Sequence, residues 1–232
     1  MVDVRVHPSV LDVYGHRRGP CRADPVGDVP TVLPMQTRRM RWGNRWPGET
    51  AVVMASGPSL TDADIETVRQ WREAEEGRRV IVTNTTFRSA LWADVLFFHD
   101  YKWWRKYSHE VGANFKGECV TISSVSSEKV YQLTRPTFES FGNSGTGGAA
   151  LAILAGCTKV VLLGCDAKWI GGKRHHFGDH PTGLGNALSF RKWPAGWKRL
   201  HGHAQGKGVE VLNASRDTAI DCIPRVQLED AL

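Results

Sequence analysis

A chain of 232 residues is long enough to bury the core of one α/β domain. Its 41% hydrophobic and 23% charged residues belong to a globular protein, and no apolar run reaches the roughly 20 residues of a membrane-crossing helix. A formal net charge of +6 favours an anionic partner, and nucleotides, nucleic acid and anionic glycans satisfy it equally. Residues 1–50 read as a basic, Pro- and Arg-rich N-terminal arm. Within it QTRRMRWGNRW carries Arg38, Arg39, Arg41 and Arg45 with two tryptophans and no acid. That pattern suits stacking on bases or binding phosphates, and equally a solvated arm packed over the domain.

Regular patterning begins at residue 51, where a Rossmann-like nucleotide-binding catalytic domain is expected over 51–232. AVVMA reads as a buried strand, and Thr61 caps a helix through about Arg72 with acids in its first turn. RRVIVTN and ADVLFFHD are the second and third strands, YKWWRKYSHEV is helical, and GECVTIS is a fourth strand. SGTGGAALAILAGC forms a small-residue helix that leads straight into the strand KVVLLGCD, and GVEVLNAS supplies the last strand after a long polar loop. Continuous Val/Ile/Leu strands alternating with helices predict a doubly wound, mainly parallel sheet covered on both faces. The five cysteines, Cys21, Cys119, Cys157, Cys165 and Cys222, have no CxxC spacing, which argues against a disulfide framework and a zinc ribbon. MVDVRVHPSV lacks the basic start and apolar stretch of a secretory leader, so a cytoplasmic protein is expected. Nine tryptophans exceed the needs of a core this size, placing several on a binding face.

In such a sheet, ligands sit at the carboxyl ends of the strands. Four strands end in polar or glycine-containing turns: Ser56-Gly57-Pro58-Ser59, Asn84-Thr85, His99-Asp100 and Gly164-Cys165-Asp166. The segment GNSGTGG instead opens a helix, so backbone amides from Ser144 onward would turn free N–H groups and a positive dipole end toward an anion. Neither the Walker A pattern nor G-x-G-x-x-G is present at the first turn.

SGPSL after the first strand, Asn84 after the second, and NSGTGGAALAILAGCTKVVLLGCD together resemble the bacterial sialyltransferases of glycosyltransferase family 42 and related phage and prophage proteins of unassigned activity. The resemblance covers roughly residues 50–225, and its most specific part runs from Asn143 to Asp166. It implies that Ser56, Gly57 and Ser59 line the nucleotide phosphate, and that Asn84 reaches the nucleotide or donor sugar. It further implies that Asn143, Ser144 and Gly145 serve the donor and that Asp166 hydrogen-bonds the nucleoside. Family members need no metal and use a histidine as general base on the acceptor hydroxyl. Two positions depart from the pattern. Ser56 stands where the family has Asn, and Ala167, Lys168 and Trp169 stand where it places a phosphate-steadying tyrosine.

The loop KWIGGKRHHFGDHPTGLGNALSF holds Lys168, Lys173, Arg174, His175, His176, Asp179 and His180, with glycines that allow movement. Its basic residues suit a leaving phosphate, and a neutral imidazole suits a general base. His180 is the first candidate and His176 the second. His201 and His203 read as surface helix residues. His176-x-x-x-His180 with Asp166 or Asp179 also has metal-ligand chemistry, but Gly178 and Pro181 oppose the helix that would align it.

The leading expectation is a transferase that binds a nucleotide or nucleotide sugar and passes a glycosyl group to an acceptor hydroxyl. Lys168, Arg174 and helix-terminal amides would steady the departing phosphate. No cofactor is expected, because the donor is a substrate. One alternative is a pyrophosphokinase of the hydroxymethylpterin type, which shares a Gly-Pro-Ser-Leu turn and needs Mg²⁺ on carboxylates such as Asp100, Asp166 and Asp179. Another is a phage nucleic-acid-binding or DNA-modifying protein that reaches its target with the basic arm.

Overall fold

The computed structural model describes residues 42–185 and 190–232. Seven strands, all parallel, form one sheet: β1 (Thr50–Met54), β2 (Arg78–Thr83), β3 (Val95–Phe98), β4 (Glu118–Thr121), β5 (Val130–Gln132), β6 (Lys159–Leu163) and β7 (Glu210–Asn213). The strands lie in the order β5-β4-β3-β2-β1-β6-β7. The chain winds outward from β1 to β5, then returns to lay β6 against the other side of β1. The sheet is therefore an α/β, Rossmann-like fold with its topological switch point between β1 and β6.

Alternation along the strands builds two cores. Val53, Ile81, Phe97 and Leu162 face α3 (Ser144–Leu154) and α4 (Trp193–Gly206). Val52, Val80, Leu96 and Leu163 face α1 (Asp62–Ala74), α2 (Tyr101–Asn114) and the short α5 (Leu228–Ala231). Buried on both sides, the central positions of these strands are apolar on both faces, as a parallel sheet requires.

The helices start where their caps dictate. The Thr61 hydroxyl accepts from the Asp64 amide at 3.2 Å, and the Asp64 carboxylate accepts from the Thr61 amide at 3.1 Å. At α3, Asn143 and Thr146 make the same reciprocal pair at 3.0 and 3.1 Å. The capping box fixes the entry of α3 at the carboxyl edge of the sheet. Its glycines let it sit close: a Cβ on Gly147 would overlap the Phe97 ring, and one on Gly148 would lie 3.0 Å from Val53 Cγ1. No helix among the described residues is long and apolar enough to cross a membrane.

Two expectations change. Short β5, three residues with only Val130 fully buried, carries too little pattern to be read from sequence and extends the sheet by one strand. The other change concerns the start of the domain, which lies no later than Trp42 rather than at Ala51. Trp42 and Trp46 are core residues packed edge to face at 5.6 Å. The amides of Asn44, Trp46 and Gly48 donate to the carbonyls of Leu154, Ala155 and Gly156, completing the C-terminus of α3. Arg45 pairs with Glu118 and lies over the Trp42 ring. These aromatic and basic residues are thus spent inside the fold. Arg38, Arg39 and Arg41 lie outside the described residues.

Candidate functional site

The carboxyl ends of β1, β2, β3 and β6 border a cavity of about 340 Å³ at the switch point. That is within the range of small-ligand sites. From the expected residues, Ser56, Gly57, Asn84, Asn143, Ser144, Gly145, Asp166, Lys168, Arg174 and His180 line it. Ser59 and His176 do not. Trp193 and Trp197 of α4, which no motif marked, line it as well.

The first turn is built by mutual packing. Ser59 donates to Asp166 through its amide at 2.7 Å and its hydroxyl at 2.5 Å. Those two bonds tie the end of β1 to the end of β6 and turn the Ser59 side chain away from the cavity. Gly57 lies between them, and a Cβ there would overlap the Asp166 carboxyl carbon and the Gly164 carbonyl oxygen. The glycine is therefore required by close approach of two strand ends, independently of any ligand. Burial pushes Asp166 up to about 6, against the Ser59 hydrogen bonds that favour its charged form.

At the helix end, the cap uses the Thr146 amide and the Gly147 amide donates to the Asn143 carbonyl. The Ser144 and Gly145 amides are then the first-turn donors presented at the cavity wall. The Asn84 side-chain amide donates to the Ser144 hydroxyl at 3.1 Å, joining the end of β2 to the start of α3. Asn84 at φ 48° and Ala167 at φ 52° both hold the left-handed conformation beside the cavity, where backbone strain concentrates at working sites.

The polar loop after β6 crosses these strand ends as a strap. His175 Nδ1 lies 3.0 Å from Ser56 Oγ at the end of β1, and the His176 amide donates to the Ser56 carbonyl at 3.1 Å. His176 Nε2 is 3.3 Å from Ser89 Oγ beyond β2. The His180 ring packs 6.4 Å from Tyr107 of α2, beyond β3. Burial lowers the pKa of all three histidines, His175 to about 4, with His180 adding a further repulsion on His175 and Arg88 on His180. They are neutral at pH 7. The two strap cations that line the cavity are paired: Lys168 with Asp217 at 2.5 Å, and Arg174 with Asp179 at 3.2 Å while lying over Trp169.

The carboxylates considered for a metal are dispersed. Asp166 takes both Ser59 bonds, Asp179 faces Arg174, and Asp100 caps α2 by accepting from the Lys102 amide at 2.7 Å. Among the described residues, no three His, Cys, Asp or Glu side chains gather into a metal-holding group. His99, at the end of β3, is held neutral by burial and shares a 2.7 Å hydrogen bond with Ser140. His201 and His203 both fall on α4; His203 is exposed as expected, whereas His201 is half-buried with its Nδ1 covered.

The sequence reading passed over His175, whose neighbour His176 has the same residue type and an equal claim by position. Only the crossing of the strap distinguishes them, placing one ring over Ser56 and the other over Ser89. No protein-family model matches the chain, and no characterised protein matches it in sequence.

Proposed function

We propose that this chain binds a nucleotide or nucleotide sugar in the switch-point cavity and transfers its glycosyl group to an acceptor hydroxyl. The supporting observation is a convergence within one cavity: the α3 amides of Ser144 and Gly145, the Ser56-Gly57 turn, two cations and a strap of neutral histidines. Phosphate is an acceptor-only anion, and helix-end amides with Lys168 and Arg174 match it by hydrogen bonding and charge. To reach a phosphate, the cations would leave Asp217 and Asp179, exchanging one anion for another. A neutral imidazole from the strap would accept the acceptor hydroxyl's proton as the glycosyl carbon parts from the phosphate oxygen. His180 lines the cavity and remains eligible for this contact, whereas His176 is turned to Ser89. The resemblance to family 42 sialyltransferases favours a sugar donor. The change from tyrosine to Ala167, Lys168 and Trp169 replaces a hydroxyl contact to phosphate with an ammonium.

The test is a thermal-shift series of nucleoside monophosphates, diphosphates and sugar diphosphates on the full chain. A ligand at 100 times its Kd stabilises the fold by about 2.7 kcal/mol, so binding appears as a raised melting temperature. The combined Lys168→Ala and Arg174→Ala variant should lose about 10-fold or more in affinity, since each removes a charge-assisted contact. No stabilisation by any nucleotide, or equal affinity in the variant, would sink this reading.

A further inference from the structure

We infer that Ser56 and His175 form a phosphate-gated base: a phosphate bound at the β1 turn holds the His175 proton on Nδ1 and leaves Nε2 as the proton acceptor. The inference rests on the nucleotide reading above and names the catalytic histidine within it.

His175 is 6% exposed and stands in the cavity wall. Its Nδ1 is tied to Ser56 Oγ at 3.0 Å, while its Nε2 is buried with no hydrogen-bond partner among the described residues. A buried polar atom left unpaired is costly, and such an atom in a cavity wall is where a ligand group is expected. The ring is also held in plane. It stacks on Phe177 at 5.1 Å with 4° between the planes, and His180 packs against both rings, 4.8 Å from His175 and 5.2 Å from Phe177.

The tautomer follows from a count of donors. Without phosphate, the Ser56 hydroxyl can donate to Nδ1 or accept from it, so the ring proton can sit on either nitrogen. The ionised oxygens of a bound phosphate accept only. A phosphate at the turn takes the Ser56 hydroxyl proton as a hydrogen bond, and the Ser56 oxygen must then accept from Nδ1–H. A neutral imidazole carries one proton, so Nε2 presents its lone pair.

Electrostatics act in the same direction. The charged and titratable groups beside His175 or on the same cavity wall are Arg174, His176, Asp179 and His180 on the strap, Lys168 and Asp166 at the end of β6, and His99 and Asp100 at the end of β3. Burial dominates and leaves the ring a weak base in the absence of ligand. A phosphate beside Ser56 adds negative charge close to the ring and favours its protonated form. The step then balances. The acceptor O–H gives its proton to Nε2, and the acceptor oxygen bonds to the glycosyl carbon. The bond from that carbon to the phosphate oxygen breaks, with its electron pair leaving on the phosphate. Once the phosphate departs, the imidazolium loses its stabilising anion and releases the proton to solvent. Ser56 is a positioning residue in this scheme, and His175 the catalytic one.

The experiment is NMR of the full chain with ¹⁵N-labelled histidine and backbone, titrated with inorganic phosphate and then inorganic pyrophosphate. His175→Gln identifies the His175 signals. Shifts of the Ser144 and Gly145 amides report binding. On binding, His175 should move to the Nδ1–H tautomer and its pKa should rise by about 1 unit or more. Ser56→Ala should still bind through the amides but leave the His175 tautomer as it is without ligand, and Ser56→Thr should restore the response. If the anion binds to the parent and His175 does not change tautomer, the gating is overturned while the nucleotide site stands. If neither anion shifts Ser144 and Gly145, the inference falls together with the site.

Discussion

At the scale of single residues, the site sets two buried titrating groups against each other. Asp166 has its pKa raised to about 6, and His175 has its lowered to about 4, both chiefly by burial. The unfolded chain would titrate them near about 3.9 and about 6.5. As pH falls from about 6.5 to 4, folded Asp166 takes up its proton before unfolded Asp166 does, which adds stability. Over the same interval unfolded His175 protonates before the folded form, which removes stability. The two contributions oppose each other in one window. Asp166→Asn should therefore make the loss of stability on acidification steeper than in the parent, and His175→Gln should make it shallower. Urea midpoints measured from pH 4 to 7 check both. Equal slopes in all three proteins would mean that neither group is buried as described.

At the scale of elements, α3 serves the core and the site at once. Gly145 through Ile153 are buried along its whole length, so no solvent face remains to absorb a larger side chain. Ala149, Ala152 and Ala155 are each 0% exposed, while the first-turn amides of the same helix meet the cavity. Ala152→Leu should overpack the helix and destabilise the protein by about 1–3 kcal/mol. The expected readout is a lower denaturation midpoint with an unchanged slope. An unchanged midpoint would place this face away from the core. The helix was readable in advance because a glycine-rich opening and a run of small residues lead straight into a strand within one short segment. The strap was readable only as a polar loop, because its path depends on distant partners, Tyr107 for His180 at 73 residues and Ser56 for His175 at 119.

At the scale of the whole molecule, the stretch ending the basic N-terminal region proves to be part of the domain. Trp42 is 0% exposed, and the amides beyond it complete the end of α3. Trp42→Ala should cost about 3–5 kcal/mol, the range for removing a buried aromatic ring. A change below about 0.5 kcal/mol, the range of surface substitutions, would restore the reading of a solvated arm at this position. Placing Trp42 and Trp46 in the core also removes both of the aromatics that made QTRRMRWGNRW look suited to nucleic acid.

By itself, the sequence determined the α/β class, six of the seven strands, the cap of α1, the glycine-rich opening of α3, and which strand ends would be polar. Each of these depends on local pattern: apolar runs without alternation, a capping residue ahead of an acidic first turn, and polar or glycine residues at strand ends. Only the tertiary structure decided how the polar ends are used. It turned Ser59 onto Asp166, directed His176 to Ser89, put His175 over Ser56, and drew Trp193 and Trp197 into the cavity wall. The physical reason is that a side chain's type limits what it can bond to, while the partner it meets is fixed by strand order and by the path of a loop between distant elements. Here β6 returning beside β1 brought together turns more than 100 residues apart, and the strap could then cross them.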